Sequence, residues 1–201
     1  MADIVEQFKE DYRKYSPSFL TSKWILEKTP HIFNGDKDLY LQAKLLLAER
    51  MKVDSCSIIF VGSSCTGFSL APHKNFKPFN DKSDIDIAII SHYYFDVAWR
   101  ELREIDITAQ TPDVQSSIKD HRDRLIYWGT IATDKILGLM PFGKQWLEAI
   151  GELQRIELFA NREIKFRLYR DHESLRAYHI YNFKSKISEI VNVEAQSITL
   201  S

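Results

Sequence analysis

Two aspartates two positions apart, Asp84 and Asp86, open an apolar run that continues to Ile90. In a strand, residues i and i+2 project to the same side, so both carboxylates converge while Ile85 and Ile87 face the opposite way. Side-by-side carboxylates raise each other's pKa unless a cation neutralises them, and hard oxygen ligands of this kind suit Mg²⁺, with Mn²⁺ as its substitute, carrying a triphosphate. Upstream, Ser57-Ile58-Ile59-Phe60-Val61 is a short β-branched run that ends in Gly62-Ser63-Ser64. A strand that stops in this way and opens into a helix presents unpaired backbone N–H groups to a phosphate. Gly62 permits close approach of the backbone, Ser63 and Ser64 offer hydroxyl donors, and Gly67 one turn later keeps a bulky side chain off the ligand.

Taken separately, the Gly-Ser pair also fits an ordinary strand-to-helix turn, and Asp84 and Asp86 also fit a cap and a solvated strand face. The ordered combination carries the chemistry: apolar strand, Gly-Ser-Ser, spacer, then Asp-Ile-Asp leading into a second apolar strand. The spacer, residues 71–83, holds Lys74, Lys77 and Lys82 within an irregular polar loop, able to clamp phosphates or simply to be solvated. Its Phe76 and Phe79 are available either to stack on a base or to anchor the loop.

The elements that must position these residues follow from periodicity. The first fifty residues read as helices, with Ser16-Pro17 as a capped restart. After Asn34-Gly35-Asp36, apolar residues from Leu39 to Met51 recur at three- and four-residue intervals, predicting an amphipathic helix that covers a sheet through Leu39, Ala43, Leu46, Leu47 and Arg50. The runs 57–61 and 85–90 read as central strands. Residues 94–105 read as helix, 106–117 as loop, and 118–137 and 144–159 as two further helices. Ile164, Phe166 and Leu168 alternate with Lys165, Arg167 and Tyr169, the period of a half-buried strand, and Asp171 caps a last helix running from Glu173 towards Val191. The basic and aromatic residues of that helix, among them Arg176, Tyr178, Tyr181 and Lys186, suit either a ligand or a core with a solvated face. The fold class is α/β of the α+β type, one domain over residues 1–201. It divides into a helical N-terminal segment (1–52), a catalytic core (53–170) and a C-terminal helix (171–201).

With 201 residues and 44% hydrophobic content, the chain is long enough to bury a core. Lys and Arg number 27 against 28 Asp and Glu, so a net charge of −1 supplies no long-range pull towards nucleic acid or anionic membrane, and a polyanion must be gripped locally. Cys56 and Cys65 form neither a disulfide framework nor a zinc cluster. Cys65, at the start of a helix, is a minor candidate nucleophile if the local field lowers its pKa. His121, His172 and His179 lack metal-ligand spacing and read as surface or satisfied histidines. Charged residues interrupt the N-terminal apolar pattern and no run reaches spanning length, which predicts a cytoplasmic protein with no membrane partner.

Phe60-Val61-Gly62-Ser63-Ser64 and Ser83-Asp84-Ile85-Asp86-Ile87 resemble the DNA polymerase β-like nucleotidyltransferase superfamily, convincingly over residues 58–90 and as architecture to the strand around Phe166. The resemblance implies a small mixed sheet flanked by helices. It implies Asp84 and Asp86 as catalytic magnesium ligands, and Gly62, Ser63 and Ser64 as the binding site of a nucleoside triphosphate such as ATP. The reaction implied is transfer of a nucleoside monophosphate to a hydroxyl or phosphate on a protein, an RNA or a small molecule. The chain departs from the pattern in a longer spacer and at the later strand, where family members supply a third carboxylate and this chain has Lys165 and Arg167. Glu163 lies on that strand's same face, at its beginning. Without the third acid, the alternative is a degenerate nucleotidyltransferase-like module that binds nucleotide or regulates a partner, as in toxin–antitoxin or phage-defence pairs. A phosphohydrolase using the same aspartates would differ in its products.

Overall fold

The computed structural model describes residues 2–184. Their helices are α1 (Ala2–Lys14), α2 (Pro17–Thr21), α3 (Lys37–Met51), α4 (Gly62–Thr66), α5 (His92–Glu104), α6 (Pro112–Asp120), α7 (Gly143–Leu153) and α8 (His172–Asn182). Their strands are β1 (Ile58–Val61), β2 (Ile85–Ile90), β3 (Thr130–Ala132) and β4 (Ile164–Tyr169). The sheet runs β1-β2-β4-β3, with β2 and β4 parallel and both outer pairs antiparallel. The architecture is thus mixed α/β, with a four-stranded mixed sheet among helices.

The caps form where side-chain chemistry favours them. Ser16 accepts from the Phe19 N–H, Asp36 from Leu39 N–H and Asp171 from Ser174 N–H, each satisfying a donor that the first helical turn leaves open. The expected extension of the last helix past residue 184 lies outside the described residues.

Alternation along the strands divides the molecule into layers. Ile58 and Phe60, Ile85, Ile87 and Ile89, and Ile164, Phe166 and Leu168 point into one core, closed by α3, α5 and α7 through Leu47, Met51, Ala98 and Trp146. Val61, Ala88, Ile90 and Tyr169 point the other way, into a second core closed by α1, α8 and the turn after α2 through Phe8, Trp24, Ile25 and Phe183. The N-terminal helices therefore roof the second face. Tyr12 Oη donates to the Phe183 carbonyl at 3.2 Å and Arg176 donates to Ser22 Oγ at 2.8 Å, fastening them to α8.

Four expectations are corrected. β1 is an edge strand, because the chain returns through β4 on the far side of β2. Residues 106–117 contain a 3-10 turn and most of α6, which begins with Pro112 at its first turn, a helix-start signal inside a polar stretch. Residues 118–137 are not one helix: Gly129 takes left-handed backbone at φ 61° and releases the chain into β3, three residues with too little periodicity to register as a strand. Arg50 leaves the α3 core face and pairs with Glu152 at 2.7 Å, while Ala48 and Met51 take the buried positions.

Candidate functional site

β1 ends at Val61, the register partner of Asp86, so Gly62 turns directly over the Asp86 side chain. A Cβ on Gly62 would lie 2.5 Å from Asp86 Oδ2, and the residue sits at φ 64°. Both the approach and the left-handed backbone demand glycine there. α4, which follows, is a little over one turn long.

Ser63 faces the cavity beside Asp86. Ser64 does not: it is fully buried and its hydroxyl donates to the Val61 carbonyl at 2.8 Å, so the expected Ser64 donor to phosphate is spent holding the turn. Gly67 is likewise corrected. It ends α4 at φ 92°, and a Cβ there would meet the His31 ring at 3.0 Å, so it answers to His31 and the helix end. Cys65 is fully buried with its Sγ 3.5 Å from the Trp24 and Ile25 carbonyls, and burial pushes its thiol up to about 12, the reverse of an activated nucleophile.

The structure brings Gly62, Ser63, Asp84 and Asp86 together at two cavities that share Ser63, Ser69, Lys74 and Asp86. One, of about 320 Å³, is walled by Ile25, Leu70, Tyr178, His179, Asn182 and Phe183. The other, of about 110 Å³, is lined by Lys74, Lys77, Lys82, Ser83 and Asp84. The loop carrying the lysines is tied down by Ser69 N–H to the Lys77 carbonyl at 2.8 Å and Phe79 N–H to the Gly67 carbonyl at 2.9 Å. Its aromatics anchor it. Phe76 is in the second core, 5.9 Å from the Phe68 ring, and Phe79 packs against His31 and under the Arg162 guanidinium. A third cavity, larger at about 550 Å³, lies at the opposite ends of β2 and β4 between His92, Trp99, Trp128 and Arg170. It contains none of the four converging residues, and size alone does not make a phosphate site.

Beside β2, the parallel register places Lys165 opposite Asp86 and Arg167 opposite Ala88, on the face that bears Asp86. Lys165 Nζ donates to Asp84 Oδ2 at 2.7 Å and lies 3.3 Å from Glu163 Oε2. Burial alone would push the Asp84 carboxyl up, but the hydrogen bond and charge of Lys165 outweigh it and hold the group below its usual range. Asp86 is the opposite case. Burial raises it, and the nearby Arg167 and Lys165 charges offset only part of the shift. Arg167 Nη1 donates to Tyr178 Oη at 3.3 Å, with the guanidinium 5.4 Å from that ring.

The magnesium site implied by the resemblance needs converging oxygen ligands with free lone pairs. Here an ammonium already occupies Asp84, a second cation flanks Asp86, and among the described residues no group of three or more His, Cys, Asp and Glu side chains is placed to hold a metal ion. As arranged, these side chains do not fit a divalent cation.

Sequence reasoning left Arg167, His179 and Asn182 out of the site. The signals for the last two were present: Tyr178 and Asn182, like His179 and Phe183, are four apart on α8 and so share a helix face. Among the described residues no helix is long and apolar enough to cross a membrane. Compared with family models, curated proteins and solved structures, the chain matches none.

Proposed function

We propose that this chain is a nucleotide-binding module on a nucleotidyltransferase-like core, taking a nucleoside triphosphate across the two joined cavities. The observation that supports this reading is their complementarity. An apolar and aromatic chamber edged by the polar groups of Asn182 and Tyr178 meets a small one lined by three lysines, three serines and two aspartates, with Ser63, Ser69, Lys74 and Asp86 common to both. A base and sugar suit the first, where ring stacking and a few placed polar groups give orientation. Phosphates suit the second, where ammonium and hydroxyl donors form charge-assisted hydrogen bonds. Binding without transfer follows from β4, which presents Lys165 and Arg167 where a general base would have to stand.

Fluorescence titration with the mant derivatives of the four common ribonucleoside triphosphates tests this. Saturable binding of at least one is expected, weakened roughly tenfold or more when Lys74, Lys77 and Lys82 are together replaced by Ala. Absence of saturable binding for all four would end the reading.

One observation favours a second reading, magnesium-dependent nucleotidyl transfer to a protein, RNA or small-molecule acceptor. Glu163 approaches the Lys165 that pairs with Asp84, so a third carboxylate is at hand if Lys165 withdraws. Pyrophosphate release in magnesium that disappears in the Asp84→Ala, Asp86→Ala double variant would establish it over binding alone.

A further inference from the structure

Lys165 stands between carboxylates as a bound cation would, 2.7 Å from Asp84 and 3.3 Å from Glu163, and it reaches them from the strand position opposite Asp86. Arg167, two residues on and on the same face, sets a second fixed positive charge near Asp86. Both lie on a central strand whose alternate residues, Ile164, Phe166 and Leu168, are locked in the core, so their stems are held in place by the fold.

Around them, Lys74, Lys77 and Lys82 line the smaller cavity. Five cations, Lys74, Lys77, Lys82, Lys165 and Arg167, thus stand among four carboxylates, Asp84, Asp86, Glu163 and Asp134, leaving a surplus of one positive charge. A divalent cation entering this site must displace an ammonium from hydrogen-bond distance and sit among like charges. A polyphosphate enters with net attraction.

From this juxtaposition we propose that the site binds the polyphosphate of a nucleotide in its metal-free form, with Lys165 and Arg167 supplying the positive charge that a divalent ion supplies elsewhere. The inference rests on the nucleotide-binding reading above. The occupant is a nucleoside polyphosphate whose terminal phosphates meet lysines directly. Lys165 pairs with Asp84 and Glu163 and reduces their repulsion of the ligand, and the Arg167 charge offsets part of that of Asp86. Attraction of this kind is screened, so affinity falls as salt rises.

The test is titration of the full chain with the same mant nucleotides in excess EDTA and in excess magnesium. The wild type is expected to bind in EDTA at least as tightly as in magnesium. Lys165→Met is expected to weaken EDTA binding roughly tenfold, the loss of one charge-assisted contact plus the exposure of two carboxylates. Lys165→Asp is expected to reverse the preference, with binding seen only in magnesium. Wild-type binding that EDTA abolishes and magnesium restores would overturn the metal-free proposal and leave the nucleotide reading standing. Failure to bind in either buffer would remove both. Circular dichroism melting of each variant confirms that a lost signal is not lost fold, and the wild-type comparison needs no variant at all.

Discussion

On one face of β2 and β4, Ile85, Ile87, Ile89, Ile164, Phe166 and Leu168 are at most 8% exposed and pack against α3, α5 and α7. On the other face of the same two strands, Asp86, Lys165 and Arg167 interrupt an apolar pattern that resumes with Ala88, Ile90 and Tyr169. The backbone and register are common to both faces, so the difference is one of side chains alone. The first face contributes hydrophobic stability. The second holds charge in a partly desolvated place, which disfavours the ionised Asp86 and is tolerated because neighbouring cations offset much of the cost. Such an arrangement adds little to stability, so the apolar face is the one that holds the two strands together.

The largest expected effect breaks the apolar face. Phe166→Ala removes a side chain 2% exposed that meets Trp146 at 5.5 Å, and should cost about 3–5 kcal/mol in urea unfolding. A loss below about 1 kcal/mol would show that this face does not hold the two strands in register.

Next in size is an acid effect on the polar side, at His179. Burial and the Arg167 charge push its imidazole down to about 4, and its Nε2 is buried without a hydrogen-bond partner. The folded pKa lies below the unfolded one, so the stability that the neutral ring contributes is complete above about pH 6.5 and is lost as pH falls towards 4. A loss on the order of 2–3 kcal/mol is expected across that window. His121, also depressed by burial, titrates in the same direction, so the clean readout is the difference between wild type and His179→Phe. Equal acid slopes for the two proteins would exclude His179 as a source.

The smallest effect sharpens the comparison by leaving both faces intact. Asp171→Ala removes the cap of α8, the helix that walls the apolar cavity, at an expected cost of about 1 kcal/mol. Thermal denaturation reads the loss, and nucleotide affinity should change little once the fold is populated. A large affinity loss with no stability change would mean that Asp171 acts on the site and not through the helix.

Legibility in the sequence varied with the range of the interaction. Ser16 and Asp171 cap helices at the positions their local sequence predicts, because a cap is decided within three or four residues. β2 and β4 were legible because a strand's two-residue period survives whatever it pairs with. β3 was not, since three residues after Gly129 have no period of their own and become a strand only by pairing with β4. Ser64 and Cys65 depart from what their residue types suggest. Their types suit a phosphate loop, but the Ser64 hydroxyl turns back to the Val61 carbonyl of β1, and the packing of α4 against the turn after α2 sets Cys65 on the Trp24 and Ile25 carbonyls.

By itself, then, the sequence determined which residues alternate, where helices start, and that Asp84 and Asp86 lie two apart at the head of an apolar strand. Only the tertiary structure decided what those aspartates face. Lys165 reaches Asp84 across 81 positions of chain, because burying Ile85 and Ile87 beside Ile164 and Phe166 fixes a parallel register that no local pattern encodes. A carboxylate pair announces itself within three residues, whereas its counter-charge is chosen by the packing of a core on the opposite side of the sheet.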